Sequence, residues 1–269
     1  MFKTRLLSGI VLVAVLILTV GMGGPVLYTV LLAASLIGLM ELYRTVKVQN
    51  QALGVVGYLG AIGYYILMYQ NKMEYIMPLI ILVLMLAMAV YVFAYPKFVA
   101  EQVMTVFFGV IYVAVMLSFV YQTRCLPDGM VMVWLIFLSS WGCDTCAYVV
   151  GKLIGKKHIF PELSPHKSLE GCIGGVVGAA LIGGLYAHFF VETAFPDRTI
   201  TWIIAFICAA GAVMSMVGDL AASAIKRNHN IKDYGKLIPG HGGIMDRFDS
   251  MTVTAPMTYF LTILMMGLR

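Results

Sequence analysis

An all-α polytopic membrane protein, with about nine transmembrane helices and a cytoplasmic N-terminus, is the fold class this sequence predicts. Three observations lead there. Hydrophobic residues make up 61% of the 269 positions and charged residues only 12%, whereas soluble domains run near half apolar and about a quarter charged. The mean hydropathy is +0.92. Apolar runs of about 20 residues, the length that crosses a bilayer as a helix, recur along the whole chain. Ionisable groups are costly in lipid, which accounts for the shortage of charge.

The first run, "KTRLLSGIVLVAVLILTVGMGG", starts with Lys3 and Arg5 as a signal peptide would. It offers no convincing small-x-small cleavage site and further apolar segments come after it, so it reads as a retained first span. The expected spans are 6–22, 25–43, 53–70, 76–95, 103–122, 129–150, 171–191, 200–224 and 251–268. Only two connections, 151–170 and 225–250, are long and polar. The chain therefore divides into an N-terminal membrane region, 1–128, of about five spans, and a C-terminal region, 129–269, that holds both long loops. No change of composition marks a separate soluble domain, and no internal repeat is evident.

Lysine and arginine accumulate on the cytoplasmic side of membrane proteins. With nine spans, the N-terminus and the loops after spans 2, 4, 6 and 8 share one side and hold fourteen of the eighteen Lys and Arg residues. Lys72, Arg124, Arg198 and Arg269 lie on the other. Both long loops thus face the cytoplasm, where nucleotides and Mg²⁺ are present. The formal net charge of +5 comes from the same bias. It suits contact with anionic lipid headgroups, and no module for nucleic acid is visible. The five cysteines lie mostly in apolar stretches, where free Cys behaves as a small hydrophobe. Cys143 and Cys146 have redox or zinc spacing, but no second pair completes a site. They read as small residues on one helix face.

The chemistry concentrates in "GDLAASAIKRNHNIKDYGKLIPGHGGIMDRFDS", Gly218 to Ser250. Asp219 falls inside the eighth span, where a carboxylate costs about 2.5–3.5 kcal/mol and normally finds a partner or a cavity. Asp219, Ser223 and Lys226 share one helix face. They form a polar stripe about 10 Å long descending from the surface. Asp246 and Asp249 are spaced i, i+3 and share a face if the ninth span begins there. Asp219 and Asp246 facing each other would suit Mg²⁺, a hard cation that takes one or two carboxylates plus substrate phosphate oxygens. Gly240, Gly242 and Gly243 allow backbone N–H groups to approach a phosphate. Lys226, Arg227, Lys232 and Arg247 would neutralise it. The alternatives stay open here. Asp246 and Asp249 could be solvated residues at a helix start, Lys232 and Lys236 surface charges, and His229 and His241 loop-bridging groups.

A second polar segment is "WGCDTCAYVVGKLIGKKHIFPELSPHKSLEG", Trp141 to Gly171. It carries Asp144, another acid within a span, with Tyr148 and Lys152 on roughly the same face. Ser164, Lys167 and Ser168 precede the seventh span. The serines suit helix capping and substrate binding equally, while Lys167 suits substrate.

"SAIKRNHNIKDYGKLIPGHGGIMDRFD", Ser223 to Asp249, resembles the signature of the phosphatidate cytidylyltransferases, or CDP-diacylglycerol synthases. Every fixed position of that pattern is present: Ser-x-apolar-Lys-Arg, Lys-Asp, Pro-x-His-Gly-Gly and Asp-Arg-x-Asp. Upstream, Asp144, Ala147 and Tyr148 together with "SPHKSLEG" resemble the family's other polar stretch, with His166 and Ser168 where the family has Lys and Thr. The likeness is sharp over about 140–250.

The resemblance implies a membrane-bound transferase acting on CTP and phosphatidate to give CDP-diacylglycerol and pyrophosphate in phospholipid biosynthesis. It implies Mg²⁺, with a potassium ion beside it, in an integral protein of the bacterial inner membrane. Asp219 and Asp246 would be metal ligands, and Asp144 and Asp249 further ligands or their supports. Lys167, Lys226, Arg227 and Arg247 would hold phosphates, with Ser223 lining the pocket and Ser164, Lys232, His241, Gly242 and Gly243 contributing to substrate binding. Enzymes of this kind and size often form homodimers. Two rival readings are a CTP-dependent polyprenol kinase and a cation transporter using Asp144 and Asp219. The intact signature disfavours the kinase, and the Lys-Arg pair and "HGG" disfavour the transporter.

Overall fold

A computed structural model describes residues 2–165, 167–192, 199–240 and 242–267. Among the described residues there is no β-strand, only two isolated bridges, His158 with Ser168 and Ile238 with Gly242. Helix occupies each expected span: α1 (Phe2–Met22), α2 (Gly24–Thr45), α3 (Ala52–Tyr69), α4 (Met73–Phe93), α5 (Ala100–Arg124), α6 (Gly129–Ile154), α7 (Leu169–Val191), α8 (Thr199–Asn228) and α9 (Met245–Met266). The seven from α2 to α8 are long and apolar enough to cross a membrane, and α1 has a shorter apolar stretch, Ser8–Met22. The chain is thus an all-α polytopic membrane protein. Helix α9 is less apolar because it begins with Asp246, Arg247 and Asp249 and carries hydroxyls at Ser250, Thr252, Thr254, Thr258 and Thr262.

Several helices extend beyond the spans read from hydropathy, and two of them do so with charged ends. Helix α8 runs to Asn228 and ends on Lys226 and Arg227, while α9 starts at Met245 with Asp246 in its first turn. Cations suit a helix C-terminus and anions an N-terminus, so charge that ends a lipid-crossing segment need not end its helix. Segments of π-helix interrupt α5 at Val110–Val115 and α6 at Leu138–Gly142, and one ends α7 at Ala187–Val191. Such widenings recur at functional sites, and the one in α6 ends two residues before Asp144.

By contacts the chain forms two compact units. Unit 1 is Met1–Ser118 with His229–Phe248, and unit 2 is Phe119–Asn228 with Asp249–Arg269. The polar segment after α8 therefore belongs with the N-terminal helices, an association no linear division of the chain expresses.

In unit 1 the interior is built on tyrosines. Tyr43 and Tyr65 are fully buried. Their hydroxyls need partners there: Tyr43 donates to the Val106 carbonyl at 2.9 Å, and Tyr65 pairs with Ser35 at 2.9 Å. By contrast α4 leaves Met77, Leu82, Met85 and Phe93 uncovered by protein, as suits a helix solvated by lipid.

In unit 2, α7 meets α6 through Gly171, Gly174, Gly175 and Gly178, one face of the helix. Lipid supplies no hydrophobic drive between helices, so small residues and close van der Waals packing hold them together. A Cβ on Gly171 would come within 2.9 Å of the Ala147 carbonyl oxygen and 3.2 Å of the Gly151 Cα. Cys143 and Cys146 point at this seam, each as a free thiol. A second seam is polar. Ser250, Thr254, Thr258 and Thr262, one turn apart on α9, are buried, with Ser250 bonded to Ser140 at 2.8 Å and Thr254 to its own helix at 2.9 Å.

Because backbone and not a flexible side chain opposes Gly171, Gly171→Val should lower unfolding stability by about 1–3 kcal/mol through overpacking. Thermal unfolding in detergent reads this, and a variant as stable as the parent would contradict the close approach of α6 and α7.

Candidate active site

The site in unit 2 starts from the loop 155–168. Its base is tied by Glu170, whose Oε2 accepts the backbone N–H of Lys156 at 3.0 Å and of Lys157 at 3.2 Å. Ser168 is buried and its Oγ caps α7 by accepting the Gly171 N–H at 3.1 Å. For Ser168, capping is therefore the role the geometry displays. Ser164 sits within the loop, where its N–H donates to the Phe160 carbonyl at 2.8 Å and its carbonyl accepts the Lys167 N–H at 3.2 Å.

That turn holds Lys167 in place. Its Nζ lies 2.5 Å from Asp219 Oδ2 on α8, with the two side chains 22% and 32% exposed. Lys167 also lines a cleft of about 180 Å³ with Asp144, Tyr148, Ser168, Gly171, Cys172 and Met216. Whole small-molecule ligands occupy roughly 300–1,000 Å³, so this space suits a phosphate or headgroup and not an entire nucleotide. Asp144 is exposed on α6. One turn on, Lys152 Nζ stands 5.9 Å over the Tyr148 ring.

Helices α8 and α9 approach closely at Gly218, where a Cβ would meet the Asp249 carbonyl oxygen at 2.8 Å. The contact brings Lys226 Nζ within 3.9 Å of Asp249 Oδ2, with both side chains largely enclosed. Asp249 Oδ1 accepts the Ser250 N–H at 2.8 Å. The stripe Asp219, Ser223 and Lys226 thus lies on one helix with a partner for each charge, while Arg227 at the helix end is exposed.

In unit 1, Asp246 is 6% exposed on the first turn of α9. Its Oδ2 accepts N–H groups from Tyr234 at 2.8 Å and Gly243 at 3.0 Å, closing the loop onto the helix. Gly240 and Gly242 adopt φ of 79° and 88°, the left-handed region where glycine is unstrained. Lys232 and Arg247 are exposed, and His241 lies outside the described residues.

A residue that hydropathy reading passed over joins this group. Glu41, within α2 and only 2% exposed, accepts the Ile244 N–H at 3.2 Å and the Met245 N–H at 2.8 Å. The signal for it was present: a lone acid near the end of an apolar span, in "GLMELYR", is the kind of intramembrane charge that needs a partner.

Among the described residues no group of three or more His, Cys, Asp or Glu side chains stands close enough to hold a metal. The candidate donors are carboxylates, hard oxygen ligands of the kind Mg²⁺ takes one or two at a time with substrate oxygens. In donor chemistry the set fits Mg²⁺.

Comparison with known proteins bears on what these groups do. The profile of the Cytidylyltransferase family matches residues 3–265. A phosphatidate cytidylyltransferase of Bacillus subtilis (strain 168) is 30% identical over 268 residues, 96% of this chain and 97% of that protein. One from Staphylococcus aureus (strain COL) is 32% identical over 266 residues, covering 97% and 99%. One from Haemophilus influenzae is 40% identical over 133 residues, covering 49% and 46%.

Since Lys167 and Asp219 touch, Lys167→Met and Asp219→Asn should not be additive in stability. A double-mutant cycle read by unfolding in detergent should give a coupling of about 0.5–3 kcal/mol. Additive effects would mean that the two charges do not interact in the folded protein.

Proposed function

This chain belongs to the cytidylyltransferase family, and on that premise we propose that it joins CTP to phosphatidate, releasing pyrophosphate and forming CDP-diacylglycerol. The observation that carries the reading is the Lys167–Asp219 pair at 2.5 Å, beside a phosphate-sized cleft at the head of membrane helices. A phosphate oxygen of the lipid attacks the α-phosphorus of CTP. The new P–O bond forms as the bond to the β-phosphate oxygen breaks, and pyrophosphate leaves with those electrons.

The attacking phosphate is already ionised near neutral pH, so no strong general base is required. The barrier lies in bringing two anions together, which makes positioning and charge neutralisation the main catalytic effects. We assign Lys167, Lys226, Arg227, Lys232 and Arg247 to the phosphates of lipid and nucleotide, with Arg suited to two-pronged contact. Ser164, Ser223, His241, Gly242 and Gly243 complete the substrate contacts. Asp219 and Asp246 are assigned to Mg²⁺, with Asp144 and Asp249 as further ligands or supports and a potassium ion as a companion. Bound Mg²⁺ would supply charge neutralisation to the phosphate oxygens in transfer.

The positive-inside bias of fourteen Lys and Arg against four supports a cytoplasmic N-terminus and active site. In a bacterium that membrane is the inner one. Phosphatidate would keep its chains in lipid while its headgroup enters the polar stripe on α8, and CTP would arrive from water.

Purified protein should therefore form radiolabelled CDP-lipid from CTP and phosphatidate only with Mg²⁺. Asp246→Asn should reduce kcat by about 10²-fold or more if it removes transition-state charge stabilisation. No product from folded wild-type protein with dispersed lipid would overturn the assignment and direct testing to polyprenol phosphorylation and then ion flux.

A further inference from the structure

We propose that Glu41 is a positioning residue for the transfer: from α2 it holds the amino end of α9 and so fixes Asp246. The inference rests on the cytidylyltransferase reading. Four observations within unit 1 carry it.

First, Glu41 is 2% exposed in a membrane-spanning helix. A carboxylate there is expensive unless it is satisfied, and its retention calls for a role. Second, both its oxygens are engaged, Oε1 by the Ile244 N–H at 3.2 Å and Oε2 by the Met245 N–H at 2.8 Å. These are among the first N–H groups of α9, which have no partner within the helix and lie at the positive end of its dipole. A residue over two hundred positions away in sequence therefore serves as a helix cap.

Third, the loop is shaped around this carboxylate. A Cβ on Gly235 or on Gly243 would overlap Glu41 Oε1. Those two positions need glycine for room, whereas Gly240 and Gly242 have positive φ. Fourth, Gly243 also donates its N–H to Asp246 Oδ2 at 3.0 Å, and the Tyr234 N–H reaches the same oxygen at 2.8 Å. Glu41 therefore sets the backbone from which Asp246 takes its orientation, one bond removed from the carboxylate assigned to chemistry. Catalytic geometry tolerates little slack, and a displacement of about 1 Å can cost 10²-fold in rate.

Glutamine at position 41 keeps the shape but offers one acceptor oxygen, and its amide N–H₂ would face a backbone donor. Aspartate keeps the charge but is one methylene shorter and reaches less fully. The test uses full-length protein in lipid micelles, with CDP-lipid formation at varied CTP and varied Mg²⁺, beside thermal unfolding. The expected result for Glu41→Gln is a kcat lowered by about tenfold to a hundredfold with KM for phosphatidate within about twofold, and a Mg²⁺ half-saturation shifted upward. Glu41→Asp should recover part of the kcat. If Glu41→Gln fails to fold, Glu41→Asp carries the test by the same readouts. A folded variant with parental kcat and Mg²⁺ dependence overturns the proposal, as does a uniform loss of active protein with kcat per folded molecule unchanged. Inactive wild-type protein would instead overturn the transferase reading.

Discussion

A carboxylate carried on a membrane helix needs a partner, and the Lys167–Asp219 ion pair is how unit 2 meets that need. Much else in the unit depends on it. The lysine is supplied by the loop 155–168, so that loop must fold back toward α8. Glu170 makes this possible by bonding the Lys156 and Lys157 N–H groups, and Ser168 by capping α7. The loop can end so close to α6 because Gly171 admits the Ala147 backbone. The pair keeps a cation and an anion, both suited to phosphate chemistry, at one place in the unit.

Unit 1 meets the same need with backbone donors. Glu41 and Asp246 are both nearly fully buried, and each accepts two backbone N–H groups. Amide donors orient a carboxylate and offset part of its desolvation, yet add no full positive charge. A loop with glycines at 235, 240, 242 and 243 is the backbone that can bring so many N–H groups to two side chains.

Packing between helices obeys the rules of a lipid solvent. Glycines on α7 let α6 approach to backbone contact, and on α9 Ser250 bonds to α6 and Thr254 to its own helix. The π segment in α6 sits immediately ahead of Cys143 and Asp144. An extra residue in a turn rotates the rest of the helix about its axis, so the register that presents Asp144 to the cleft differs from that of an uninterrupted helix.

The sequence by itself determined the solvent and the fold class. Apolar runs of about 20 residues become helices, because lipid requires the backbone to be satisfied internally and the strands of a closed barrel need only about ten residues to cross. Asp219 and the dense polar segment 223–249 pointed to the candidate site, since a carboxylate in such surroundings normally finds a partner or a cavity. Helix ends at Asn228 and Met245 escaped hydropathy because charged residues continue a helix after it leaves the lipid. Pairings escaped it too. Lys167 with Asp219 spans fifty-two positions, and Glu41 with Met245 spans 204; periodicity reports neighbours three or four residues apart and nothing farther. Only tertiary structure decided that Glu41 caps α9, that Gly235 and Gly243 are glycine for room, and that the segment His229–Phe248 packs with the N-terminal helices. Those outcomes depend on which distant backbone groups come within bonding range, a property of the folded chain and not of any local stretch.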